Sequence, residues 1–264
     1  MRFWEKQHLK IINLEIELKK ILFRCDSSST IGLGHVKRCL VLAKRLKECN
    51  KNLKIFFSTL DLDGNINFEI LKEGFTIYSL KDNSVSSLDY VIKELSIDFL
   101  IIDLYEIDIT FETQLKLNNH SLKIMSFDDT LNLHNVDFIL NHGIQAKKHS
   151  YKNLVPKNCK ILCGSEYTLL RDEFFKNYNK KIEKNSIAII LGGNDVLNLS
   201  SKVALFLFEI NNEYKISVIT TRVNPHLKEL EKKIEYINKK DFYGKLDLKF
   251  SRDKLVNSTF AHKT

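Results

Sequence analysis

The chain has 264 residues, 44% of them hydrophobic and 28% charged, with 41 Lys and Arg against 33 Asp and Glu for a net charge of +8. That length suits two modest domains or one large one, and only two prolines and nine glycines argue against an all-β sandwich rich in tight turns. The lysines are scattered and not gathered into one stripe with aromatics, which argues for a solvated basic surface and against a nucleic-acid module. No run of about 18 apolar residues exists to span a membrane, and Glu5, Lys6, Lys10 and Glu15 interrupt any signal-peptide core. Cys25, Cys39, Cys49, Cys159 and Cys163 lack paired Cys-x-x-Cys spacing, as expected of reduced thiols in a cytoplasmic protein.

In chain order, short apolar runs alternate with helix-period segments, the pattern of a parallel α/β sheet. "ILF" from Ile21 predicts the first strand. A helix follows from His35 to about Glu48, with Val36, Cys39, Leu40, Ala43 and Leu46 along one face. "KIFFST" is a second strand, and "FEILKEG" a short helix closed by Gly74. Then come "FTIYSL", a helix from about Ser86 to Leu95, the strand "DFLIID", a helix near Phe111 to Leu117, and the strands "LKIMSF", "VDFIL" and "KILCG". The lysine-rich stretch from Lys176 to Lys184 reads as a domain boundary. "SIAIILGG" restarts the theme, followed by the helix "NLSSKVALFLFEI", the strand "KISVIT" and the helix "NPHLKELEKKIEYI". Two halves that each begin strand, glycine loop, helix predict two Rossmann-like domains with a cleft between them, spanning 20–180 and 185–264.

The first glycine loop, "IGLGHVKR", invites four readings: a dinucleotide fingerprint, a phosphate loop, a bare structural turn, or a catalytic histidine on a sugar-nucleotide fold. A dinucleotide fingerprint needs a third glycine where Lys37 stands, and an acidic residue after the second strand where Ser58 and Thr59 stand. No G-x-x-x-x-G-K-[ST] phosphate loop occurs. What remains is a glycine turn that lets backbone approach a ligand, with His35 in the first turn of a helix. The positive end of that helix disfavours an imidazolium and favours a neutral base able to take a proton from water. Arg38, three residues on, is placed to meet the same ligand. On the residues alone, His35 reads equally as a packing or capping residue. Asp103, Asp128 and Asp129 fall at strand ends, where a Mg²⁺ site is one reading and turn capping the favoured one. Cys159 and Cys163 read as packed core thiols.

The stretch "LFRCDSSSTIGLGHVKRCLVLAKRL" resembles the opening of the UDP-sugar hydrolases of pseudaminic acid biosynthesis. Their hallmark of a strand, R-x-D-x-S and I-G-x-G-H-x-x-R is filled here by Arg24, Asp26, Ser28, Ile31, Gly32, Gly34, His35 and Arg38. "FLIIDLYEI", "SFDD", "ILN", "CGSEYTLLRDEF" and "LGGND" extend the likeness from about Lys20 to about Glu231. The resemblance implies a GT-B-like α/β fold of two Rossmann-type domains, as in the MurG-type N-acetylglucosaminyltransferase. It implies hydrolysis of a UDP-linked 2,4-diacetamido-2,4,6-trideoxyhexose to free sugar and UDP, with His35 activating water. Gly34, Arg38, Tyr105 and Arg171 would bind substrate, and Gly192, Gly193 and Asn194 would approach the diphosphate, whose charge the amides of the following helix would hold. No metal and no cofactor are implied. The partners are the UDP-sugar and water, with no nucleic acid and no membrane, and the chain is expected to act as a monomer. A glycosyltransferase of the same architecture and an inactive remnant are the alternatives.

Two segments depart from the family. Residues 1–19 precede its usual start, and "IINLEIEL" within them alternates apolar and polar residues, which reads either as an added strand or as an upstream start that does not fold. The tail "KKDFYGKLDLKFSRDKLVNSTFAHKT" does not resemble the family's closing segment, so about two strands are expected after Asn185, against about 4–6 in an ordinary sheet. The second domain therefore reads as incomplete, from a truncated or frameshifted product, and weak in stability and UDP binding.

Overall fold

A computed structural model describes residues 20–175, 184–192, 195–211, 213–222, 224–240 and 246–250. The proposed extension 1–19, the lysine-rich boundary 176–183 and the tail beyond Phe250 lie outside the described residues. The chain divides into two compact units, Met1–Ser28 with Leu33–Arg171, and Ser29–Gly32 with Asp172–Thr264.

The first unit runs β1 (Lys20–Cys25), α1 (Gly34–Cys49), β2 (Lys54–Thr59), α2 (Asn67–Lys72), β3 (Thr76–Ser79), α3 (Val85–Leu95), β4 (Phe99–Asp103), α4 (Ile109–Asn118), β5 (Lys123–Phe127), β6 (Phe138–Asn141) and β7 (Lys160–Cys163). Short 3₁₀ turns occupy Lys148–Tyr151 and Ser165–Tyr167, and a third, Asp172–Phe175, belongs to the second unit. The strands of the first unit form one parallel sheet in the order β3-β2-β1-β4-β5-β6-β7. Central parallel strands are covered on both faces, which is why β4 reads as an unbroken apolar run ending in an aspartate. Side chains alternate across the sheet. Ile21, Phe23, Phe99 and Ile101 enter one core with Val36, Cys39 and Leu46 of α1. Leu22, Leu100 and Ile102 enter the other with Leu88 and Ile92 of α3 and Leu115 of α4. Phe23 and Phe57 stack across β1 and β2, centroids 4.9 Å apart. The apolar face read for α1 is the one it buries, and Gly74 ends α2 at φ +82°, a conformation that favours glycine.

The R-x-D of the opening motif serves this unit as a clamp. Arg24 is fully buried, and its Nη1 and Nη2 donate to Asp26 Oδ1 and Oδ2 at 2.7 and 2.8 Å. The same guanidinium reaches the Ser58 carbonyl (3.3 Å) and Asn83 Oδ1 (3.1 Å), while Asp26 Oδ1 accepts from the Leu60 amide (2.7 Å). A charge buried without water persists only when paired and hydrogen-bonded in this way.

The second unit contains β8 (Ser186–Ile189), α5 (Leu199–Ile210), β9 (Lys215–Thr220), α6 (Leu227–Lys240) and β10 (Leu246–Phe250). Its strands are parallel in the order β10-β9-β8. The core gathers Ile189, Ala204, Ile216, Val218, Leu230, Ile234 and Ile237. The strand β10 corrects the expectation of two strands after Asn185. "LDLKF" is a short alternating run among lysines, and its pairing with β9 supplies the partner that composition alone did not reveal.

Candidate functional site

The order of the seven-stranded sheet fixes where a site is to be sought. From β1 the chain winds one way to β2 and β3, then returns to lay β4 on the other flank of β1. Loops leaving β1 and β4 therefore diverge, and the carboxyl ends of the strands at such a switch point are where open α/β sheets bind ligands. The loop after β1 leads through Gly32, at φ +90°, into α1 and His35. Asp103 is the last residue of β4, Tyr105 follows it, Asp128 and Asp129 follow β5, and His142 follows β6.

His35, Asp103, Tyr105, Asp129 and His142 meet around Arg38. His35 Nδ1 lies 2.6 Å from Asp103 Oδ1, with His35 7% and Asp103 1% exposed. Arg38 Nε donates to Asp103 Oδ2 and Arg38 Nη2 to Asp103 Oδ1, both at 2.5 Å, the two-pronged geometry that suits a guanidinium. Arg38 Nη1 donates to Asp129 Oδ2 (2.7 Å) and lies 3.1 Å from His142 Nε2. The guanidinium carbon sits 4.8 Å from the centre of the Phe127 ring. Tyr105 OH donates to the same Asp129 oxygen (3.0 Å), and its ring stands edge-on to His35 with centroids 4.9 Å apart. Tyr105 is 61% exposed, so the cluster opens to solvent on that side.

Burial alone would raise the Asp103 carboxyl's pKa. The hydrogen bonds from Arg38 and His35 outweigh it and hold that pKa below the usual carboxylate range. Arg38 shows the reciprocal effect: burial opposes its charge, and Asp103 and Asp129 more than restore it. The Tyr105 phenol is raised, first by burial and then by the Asp129 charge. His142 is lowered, first by burial and then by Arg38. An ionised carboxylate only accepts hydrogen bonds, so Nδ1 of His35 carries its proton toward Asp103. In the neutral ring Nε2 is then the nitrogen with a free lone pair.

Gly34, His35, Arg38 and Tyr105 are thus brought to one sheet edge. A side chain at Gly34 would meet nothing within 4 Å, so internal packing is not what keeps that position small. Arg38 spends its donors on the two aspartates, which gives it a holding role beside any role in binding. Arg171 is the half-buried last residue of the first unit. Gly192 follows β8 in the second unit at φ +79°, while Gly193 and Asn194 lie outside the described residues. The amides that open α5 differ from expectation. Asp195 accepts from the Leu199 amide (2.8 Å) and the Ser200 amide (2.9 Å), so two donors expected for a diphosphate are already used.

Asp103, which its strand-end position favours as a turn cap, is instead the partner of His35. The available signal was the aspartate closing an apolar strand beside the strand that precedes His35. Asp129 and His142 close the cluster in the same way from β5 and β6. Among the described residues, no group of three or more His, Cys, Asp and Glu is placed to hold a metal ion. No helix among them is long and apolar enough to cross a membrane.

No protein-family model matches the chain. It is 40% identical over 214 residues to the UDP-2,4-diacetamido-2,4,6-trideoxy-β-L-altropyranose hydrolase of Campylobacter jejuni, covering 81% of this chain and 73% of that protein. An uncharacterized protein of Methanocaldococcus jannaschii is 30% identical over 211 residues, 76% of this chain but 42% of that one. The crystal structure of Acinetobacter baumannii MurG superposes with a TM-score of 0.57 at 10% identity, covering 92% of this chain and 71% of that one. That likeness bears on the fold, which is the two-unit, Rossmann-like GT-B class that the sequence predicts.

Proposed function

Since the chain belongs to the UDP-2,4-diacetamido-2,4,6-trideoxy-β-L-altropyranose hydrolase family, we propose that it hydrolyses such a UDP-sugar to the free sugar and UDP, with His35 as the general base. The observation that carries the reading is the 2.6 Å contact between His35 Nδ1 and Asp103, a carboxylate itself gripped by Arg38. Asp103 fixes the tautomer and the ring plane, leaving Nε2 to take the proton of a water molecule. That water attacks the anomeric carbon, the carbon–oxygen bond to the diphosphate breaks, and UDP leaves with the bonding pair. Attack opposite the leaving group inverts the anomeric centre. UDP leaves as a stable anion, so no strong general acid is required. As the ring gains its proton, Asp103 stabilises the imidazolium that forms.

Arg38 holds Asp103 and Asp129 in register, and Tyr105, exposed beside His35, is placed to contact the sugar. Gly192, Gly193 and Asn194 retain their assignment to the diphosphate, and Arg171 its assignment to substrate binding. Five free cysteines support a reducing compartment, and with it the cytoplasm.

The test is His35→Ala, with UDP release from the UDP-sugar measured in the absence of any acceptor. Wild type should release UDP and free sugar in equal amounts, whereas a glycosyltransferase should release little. His35→Ala should lose at least about a hundredfold in kcat while UDP binding, read by calorimetry, is retained. Equal turnover by the variant would reject His35 as the base. Reaction in ¹⁸O-water should place the label on the sugar; label on UDP would reject attack at carbon.

A further inference from the structure

A second histidine–carboxylate group stands behind the site, and no step above uses it. Glu112 of α4 is fully buried, and Asp128 and His134 are 3% and 5% exposed. His134 Nδ1 lies 2.8 Å from Glu112 Oε1, while Glu112 Oε2 accepts from the Asn135 amide (2.7 Å). His134 Nε2 lies 3.8 Å from Asp128 Oδ2, an ion-pair separation, and makes no hydrogen bond. Asp128 Oδ2 also accepts from Tyr151 OH (2.8 Å), and Asp128 Oδ1 from the Thr130 amide (2.9 Å). Asn141 Nδ2 donates to that same Tyr151 oxygen (2.9 Å). The next residue in the chain is Asp129, whose carboxylate turns outward to Arg38 and Tyr105.

Two buried carboxylates facing one imidazole are stable only if the ring is a cation. We propose that the Glu112–His134–Asp128 group is the anchor that sets Asp129, and through it Tyr105 and Arg38, making His134 a positioning residue for the hydrolysis. The catalytic half of this inference rests on the function proposed above; the structural half stands without it.

The charge state follows from the surroundings. Burial disfavours the His134 imidazolium, but Asp128 and Glu112 outweigh burial and push its pKa up to about 9. Burial likewise disfavours the Asp128 carboxylate, but His134, the Thr130 amide and Tyr151 bring its pKa down to about 2. Among the described residues, the titratable groups around this network include Tyr151 and Cys163 on the Asp128 side, with Lys148 beside Cys163, and Cys159 near Glu112, with Asp137 and Lys116 beside Cys159. Burial raises both thiols to about 11 and Tyr151 higher still, so His134 loses its proton before those three groups as pH rises through 9.

The experiment uses the full chain labelled at tyrosine Cζ with ¹³C, the Tyr105 signal being identified from Tyr105→Phe. In His134→Gln, the Tyr105 phenol should titrate closer to its ordinary value of about 10, as it should in Asp129→Asn, because Asp129 is no longer held against it. With the UDP-sugar as substrate, His134→Gln should lower kcat about three- to tenfold with KM within about threefold. In the Asp129→Asn background the same change should cost little more, since both act along one path. If His134→Gln does not fold, Glu112→Gln takes its place with the same Tyr105 readout. An unmoved Tyr105 titration overturns the anchor whatever the activity. A moved titration with unchanged kcat overturns the positioning role. A wild type that leaves the UDP-sugar intact rejects the hydrolase reading, and the Tyr105 shift still decides the anchor.

Discussion

Two histidine–carboxylate groups stand at the same carboxyl edge of one sheet, and they are built for opposite ends. His35 faces a single carboxylate, Asp103, whose charge Arg38 already balances, and an exposed tyrosine flanks the ring. His134 is wedged between two carboxylates, Glu112 and Asp128, in a closed interior. The same side chain is left with a nitrogen free for chemistry in one place and is consumed as a structural cation in the other. The difference lies in how many anions meet the ring and whether another cation shares them.

The most damaging way to break the comparison is to remove the anion from the first group. In Asp103→Asn the amide can donate to Nδ1, turning the lone pair inward and the proton outward. We expect kcat to fall about a hundredfold to ten-thousandfold with the fold retained, read by steady-state turnover and circular dichroism. Arg38→Lys keeps the charge but loses the fork that grips Asp103 and Asp129, and should cost about tenfold in kcat. The second group should appear in stability. Because the folded pKa of His134 is raised, its stabilisation is complete below about 6.5 and is lost as pH rises through about 9. Melting temperature should therefore drop across that window in wild type and stay flatter in His134→Gln. Asp128 has the opposite sign: its contribution is present above about 3.8 and is lost as pH falls through about 2. The smallest expected effect is that of Tyr105→Phe, which removes one partly solvated hydrogen bond and should raise KM about threefold.

Much of this was legible in the sequence, for identifiable reasons. Buried parallel strands such as β4 carry continuous apolar runs, and α1 carries its core face at helical spacing, so both declare themselves locally. His35 was marked by the glycine turn before it. Its partner was not, because Asp103 is 68 positions away and meets it only through the pairing of β1 with β4. A strand-end aspartate looks the same in sequence whether it caps a turn or orients a base. His134 was illegible for a related reason: in "DDTLNLHNVDF" it resembles any polar loop residue, and only α4 packing Glu112 against it reveals a buried cation. Asp195 is a further case, since it accepts from the first two amides of α5 from three residues before the N-cap Asn198, a spacing that no ordinary capping pattern announces.

The central claim is that His35 and Asp103 act as one unit, and a double-mutant cycle on kcat tests it most directly. His35→Ala, Asp103→Asn and the double variant are compared for UDP release from the UDP-sugar, each at saturating substrate. The double variant should be no slower than His35→Ala alone, because an orienting carboxylate has nothing to orient once the imidazole is gone. Losses that multiply in full would show the two residues acting independently and would contradict the account.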